Sequence, residues 1–135
     1  MAPEARVPKI NAILICERVI REEGTGLISL IGILEALTGE PVPLTVPSLF
    51  VYAKMTEAQG EYLFKLEVVR RRDMNTIAEA PMPAPVTVDH PLANGEKVIQ
   101  LGGLTFTEPG YYDFRLSANG RFLDSKGLQI LLESR

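Results

Sequence analysis

The sequence predicts an all-β fold: an antiparallel β-sandwich, immunoglobulin-like or jelly-roll-like, of about eight or nine strands. Three observations predict it. Apolar and polar residues alternate in short runs, most cleanly over 61–69 and 111–118, and a period of two marks a strand with one buried face. Glycine, proline and asparagine interrupt these runs at short spacing, as turns between strands require. No run carries the 3.6-residue period of an amphipathic helix.

The elements follow in order. Residues 1–8 read as a loose arm bracketed by Pro3 and Pro8, and residues 9–135 as a single domain. Ile10 to Ile20 is rich in β-branched residues, with apolar side chains on both parities. That suits a strand covered on both faces for part of its length. The rival is a helix over 11–23, which would have to be buried on nearly every side. Gly24 and Gly26 mark a turn, and Leu27 to Leu34 returns as the second arm of a hairpin. Gly39, Pro41, Pro43 and Pro47 predict a loop over 38–48.

Leu49 to Met55 is a third strand, and Glu57 to Gly60 a turn. In the fourth strand Tyr62, Phe64, Leu66 and Val68 face inward against outward Glu61, Lys65 and Glu67, with Leu63 and Val69 softening the polar face. After Arg70 to Asn75, Thr76 to Ala80 is a short strand. Prolines 81, 83, 85 and 91 limit Val86 to Val88 to an edge piece. Asn94-Gly95 is a tight turn, and Gly102-Gly103 is expected to break the strand Glu96 to Leu101.

The last hairpin is the clearest. Tyr112, Phe114, Leu116 and Ala118 alternate with polar residues up to Asn119-Gly120, a turn that needs positive φ at both positions. Phe122 to Lys126 pairs back, Gly127 is expected to interrupt, and Leu128 to Leu132 closes the domain. The register predicts a buried Tyr112 ring. Gly110, Tyr112 and Phe114 resemble the tyrosine placement at a sandwich corner, where the hydroxyl bonds to nearby backbone.

Composition bounds the function. Apolar residues make up 46% and charged residues 23% of 135, a folded rather than disordered balance. A net charge of −3 gives a polyanion no overall attraction, so no nucleic-acid partner is expected. The lone Cys16 allows no intrachain disulfide and favours a reducing compartment. The first apolar run, Ile10 to Cys16, is too short to span a bilayer. Leu14-Ile15-Cys16 makes a poor lipoprotein site, because Ile15 is bulky and no basic leader precedes it. A cytoplasmic protein without membrane contact is expected. With no Trp, a stacking platform would rest on Tyr or Phe.

Each candidate for chemistry has a plainer structural reading. His90, the only histidine, has no Cys or Ser partner in evidence and reads as a loop residue. Cys16 sits among Ile and Leu and reads as a core thiol, which burial deactivates. Paired carboxylates of a hydrolase could come together only in space, and most Glu residues fall in turns or outward positions. Asp73 with Asn75 and Asp89 with Asn94 are the loop candidates for calcium, without the spacing of a calcium loop. Gly24-Thr25-Gly26 and Gly102-Gly103 lack the Lys and following helix of a phosphate loop. Arg70-Arg71-Arg72 reads as a solvated strand end whose replacement by Ser should barely change stability. No catalytic, cofactor-binding or metal-ligating residue is therefore expected.

Residues 11–33 run from an apolar segment through Arg21-Glu22-Glu23-Gly24-Thr25-Gly26 to Ser29-Leu30-Ile31-Gly32. This resembles the opening of an uncharacterised bacterial and phage-associated family of small proteins, a domain of unknown function. Pro109-Gly110-Tyr111-Tyr112-Asp113-Phe114 followed by Asn119-Gly120 is similar to that family's end. The resemblance implies the β-sandwich and brings no activity, cofactor or site residue with it. The expected function is a non-enzymatic binding or assembly module, acting through sandwich loops or edge strands on a protein partner or on itself as a homodimer. The alternatives are a small-ligand carrier with an apolar cavity and a carboxylate-based hydrolase.

Overall fold

The alternating and β-branched runs become strands throughout the described residues, which are 6–39, 44–81, 85–88 and 95–132 of a computed structural model. Eleven strands lie among them: β1 Lys9–Arg21, β2 Ile28–Leu34, β3 Ala36–Gly39, β4 Leu44–Thr56, β5 Gly60–Tyr62, β6 Phe64–Arg70, β7 Asn75–Pro81, β8 Val86–Val88, β9 Gly95–Phe106, β10 Gly110–Ala118 and β11 Arg121–Leu132. Residues 11–21 are strand, so the helical rival is set aside. The first sheet has the order β2-β1-β4-β9 and the second β3-β11-β10-β6-β7; β5 and β8 form a small third sheet.

One apolar core joins the two large sheets. Ile13, Ile15, Leu49, Val51, Ile99 and Leu101 enter it from the first sheet; Leu66, Val68, Phe114, Leu116, Leu128 and Ile130 enter from the second. Phe106 of β9 meets Tyr112 of β10 edge to face at 4.8 Å between ring centroids, a favoured aromatic geometry. Tyr112 is fully buried, as its register predicts. Its hydroxyl donates to the Glu108 carbonyl at 2.8 Å, the corner bond anticipated from the sequence. Tyr62 makes a second such tie: its hydroxyl accepts the Gln59 N–H at 2.7 Å and donates to the Arg6 carbonyl at 2.5 Å. The Arg6 N–H in turn bonds to the Gln59 carbonyl, and Pro8 is buried. The looseness expected of residues 1–8 therefore does not extend to residues 6–8; residues 1–5 lie outside the described part.

The Asn119-Gly120 turn has φ of 52° and 78°, and β10 and β11 pair as its hairpin. Asn119 also clamps a crossing. Its Oδ1 accepts the Leu63 N–H at 2.9 Å and its own N–H bonds to the Leu63 carbonyl at 3.0 Å. At Leu63 the chain leaves the small sheet for the second one, so the predicted fourth strand is two strands, β5 and β6. Its inward set is as expected, with Tyr62, Phe64, Leu66 and Val68 all buried; Val69 is buried as well, while Leu63 is exposed.

Four other expectations are corrected. Leu44 to Ser48, placed in a loop, belongs to β4. Pro47 is tolerated there because β1 stops pairing with β4 at Cys16↔Phe50, which leaves β9 as the neighbour. β9 continues through Gly102-Gly103 to Phe106, held by Ser48↔Gly102 and Val46↔Leu104. β11 continues through Gly127, opposite Asp113. Finally, the pairing is not wholly antiparallel: β3 runs parallel to β11. The one-residue connection at Glu35 passes the chain from β2 straight to the edge of the second sheet. The Asn94-Gly95 turn and residues 40–43 lie partly or wholly outside the described residues.

Candidate functional site

The outer faces of the two large sheets differ in chemistry. On the second sheet the outward residues are mixed: Lys65, Glu67, Asp113, Arg115 and Ser117 are charged or polar, with Lys65 bridging to Glu79 at 3.6 Å, while Val69, Tyr111 and Phe122 stand among them, Phe122 under the Arg115 guanidinium. On the first sheet they are mostly apolar. Ile13, Ile15, Val51 and Ile99 point into the core, so the alternate positions point away. Directly opposed residues share a face, and the registers therefore lay Ile33, Cys16, Phe50 and Gln100 in one row across β2, β1, β4 and β9. Leu14, Tyr52 and Val98 form the adjacent row.

Cys16 and Tyr52 are 0% and 8% exposed yet stand outside the core cluster. Apart from its sheet partners, β1 meets β11 across the core, and β4 has β1 and β9 as its neighbours. Cys16 is buried, as expected of a core thiol, and stands on the outward parity of the sheet, apart from the main core cluster. Burial pushes its thiol pKa up, against a smaller opposing pull from the Arg18 backbone. The Tyr52 hydroxyl donates to the Glu96 carboxylate. Burial, then that bond and the Glu96 charge, push the phenol up to about 12.

Among the described residues the apolar face ends at the β2 edge, beyond which no strand pairs. Beyond Cys16, β1 keeps β2 as its neighbour, from Arg18↔Ile31 to Arg21↔Ile28. This ribbon carries Ile20, Leu27, Ile31 and Ile33, all counted among the exposed large apolar residues. Gly32 has φ +70, and a Cβ there would meet the Glu17 side chain at 3.1 Å; the glycine lets Glu17 lie against the strand. The sequence carried a signal of this face in the apolar residues on both parities of Ile10 to Ile20. It gave no sign that none of the described strands would cover the second parity.

At one end of the fold the three arginines are paired rather than merely solvated. Arg70 forks onto Asp73 at 3.1 and 3.0 Å, Arg71 onto Asp113 at 3.1 and 2.6 Å, and Arg72 onto Glu108 at 2.6 and 3.1 Å. Arg71 also lies 4.9 Å over the Tyr111 ring. The Arg70 bond holds the Asp73 carboxyl below its usual range, with help from the Asn75 N–H; Arg72 does the same for Glu108. A general acid needs the opposite shift. Both Asp73 oxygens are engaged by Arg70 and Asn75, so the Asp73–Asn75 calcium candidate is an internally bonded turn. His90, Asp89 and Asn94 lie outside the described residues. Gly24 and Gly26 serve the β1–β2 turn, where the Gly26 N–H bonds to the Glu22 carbonyl at 2.9 Å.

Two open clefts flank the core. One, of about 450 Å³, lies between residues 6–8 and the Asn119 turn, beside Tyr62 and Leu123. The other, of about 330 Å³, lies among Glu17, Arg18, Leu34, Leu37 and Val46. Between the large sheets, fully buried Phe106, Tyr112 and Phe114 occupy the middle. Among the described residues no helix is long and apolar enough to cross a membrane.

Residues 11–131 match the model of DUF6941, described as a family of unknown function. Among curated proteins none matches the chain.

Proposed function

The chain belongs to that family of unknown function, and from the surface just described we propose that it is a non-enzymatic binding or assembly module of β-sandwich type. Its docking surface is the outer face of the first sheet with the β2 edge. One observation carries the reading: Leu14, Phe50, Tyr52, Val98, Ile31 and Ile33 share a face over which, among the described residues, no strand is laid. A contiguous apolar patch on a soluble surface marks a place of association. Cys16 fits a reducing compartment such as a bacterial cytoplasm, because an unpaired thiol on a contact face stays reduced there.

Photo-crosslinking in the producing cells tests this. A benzophenone side chain at Phe50 or Ile33 is expected to give discrete protein adducts; the same group at Glu67, on the other outer face, is not. Equal labelling at all three positions, or none at Phe50 and Ile33, overturns the reading.

A further inference from the structure

We propose that the cleft beside Tyr62 binds a small organic carboxylate, its charged end held by Arg6 and Arg121 and its apolar body set against Val7, Pro8 and Leu123. This site stands apart from the docking face, because none of the residues lining the cleft belongs to the four strands of the first sheet.

The cleft has a fixed wall on each side. On one side residues 6–8 are pinned: the Arg6 N–H donates to the Gln59 carbonyl at 2.9 Å, and the Arg6 carbonyl accepts from the Tyr62 hydroxyl at 2.5 Å. Pro8 beside them is buried. On the other side the Asn119 amide is bonded within the protein. Its Oδ1 accepts the Leu63 N–H at 2.9 Å, and its Nδ2 donates to the Glu61 carbonyl at 3.1 Å. Walls tied in this way need no ordering when a ligand enters, and such ordering is a main cost of binding. The space between them is about 450 Å³, within the usual range for small-molecule sites.

Charge sets the class of ligand. Among the described residues, two guanidinium groups and no carboxylate line the cleft, in a chain whose net charge is −3. The arginines of the β6–β7 turn all meet acids, and Arg115 lies 4.3 Å over the Phe122 ring. Arg6 and Arg121 are exposed and have no counter-ion among the described residues. The Asn119 amide and the Tyr62 hydroxyl are already engaged, so these two arginines are the side-chain donors left to a ligand. Their N–H forks match a carboxylate with two parallel bonds. Val7, Pro8, Ala118 and Leu123 add apolar surface that a bare inorganic anion would leave unused, so the ligand carries an apolar body as well as its charge.

Titration of the purified, isotope-labelled chain with octanoate and with phenylacetate, followed by amide NMR shifts, tests this. At least one of the two acids is expected to give saturable shifts centred on the Arg6, Val7, Asn119 and Arg121 amides. The matching alcohols, with the same apolar bodies and no charge, should bind at least about tenfold more weakly, and so should inorganic phosphate, with charge and no apolar body. Arg6→Gln with Arg121→Gln should weaken the acid at least about tenfold while the melting temperature holds, because both residues are exposed. Arg115→Gln, on the outer face of the second sheet, should leave binding unchanged. Saturable shifts at these amides by neither acid overturn the proposal. So do an alcohol or phosphate that binds as tightly as the acids, and acid binding that survives the double change or is lost with Arg115→Gln.

Discussion

Gly120 sits at φ +78 with nothing within 4 Å of where its Cβ would be, so a substitution there strains backbone and touches no neighbour. Gly120→Ala is expected to lower stability by about 1 kcal/mol in denaturant melts; no loss would mean that the turn relaxes to another type. This residue was legible from Asn119-Gly120 alone, since a two-residue hairpin turn fixes its own φ angles. Tyr52 was not, because its partner Glu96 is 44 positions away. A phenol pushed up to about 12, against an ordinary value near ~10, holds its proton more tightly folded than unfolded. Its contribution to stability is full below ~10 and is lost as pH rises through about 12. Alkaline titration by phenolate absorbance should show a late step near about 12 that Tyr52→Phe removes. An alkaline titration unchanged by Tyr52→Phe would contradict the Glu96 contact.

The β6–β7 turn shows where element-level reading falls short. Arg70-Arg71-Arg72 was legible as a charged strand end, but of the acids that meet it only Asp73 lies in the same turn; Glu108 and Asp113 arrive from the β9–β10 connection and from β10. Depressed carboxyls at Asp73 and Glu108 stabilise the fold above the ordinary carboxylate range, and that contribution is lost as pH falls through their lowered values. Replacing the three arginines by Ser should lower the melting temperature by a few degrees at most at neutral pH, since exposed pairs contribute little. It should also flatten the acid limb of the stability profile. An acid limb identical to that of the natural chain would show that these pairs do not form in solution. β4 and β9 teach a related lesson. Pro47 and Gly102-Gly103 were read as breaks, yet each lies opposite the other pairing segment, where a proline facing an unpaired side and a flexible glycine pair are both accommodated.

Across the whole molecule, the Phe106–Tyr112 contact joins the two large sheets. Phe106→Ala should cost about 3–5 kcal/mol through the lost ring and the cavity left behind, with both sheets melting together. A loss confined to one sheet by hydrogen exchange would show that the sheets are not one cooperative unit. The alternation of Tyr112, Phe114 and Leu116, the Asn119-Gly120 turn, the β1–β2 hairpin and the all-β class were determined by the sequence itself. Each depends on neighbours a few residues apart, whose steric and periodic demands are local. Tertiary structure alone decided the parallel β3–β11 pair, the division of the fourth strand at Leu63, the Arg71–Asp113 and Arg72–Glu108 pairs and the outward position of Cys16. Those depend on which distant strand lies alongside, and a one-dimensional pattern carries no such information. The last of them matters most for function. Two apolar parities in β1 announced two faces in need of cover, and only the folded arrangement shows that the described strands cover one.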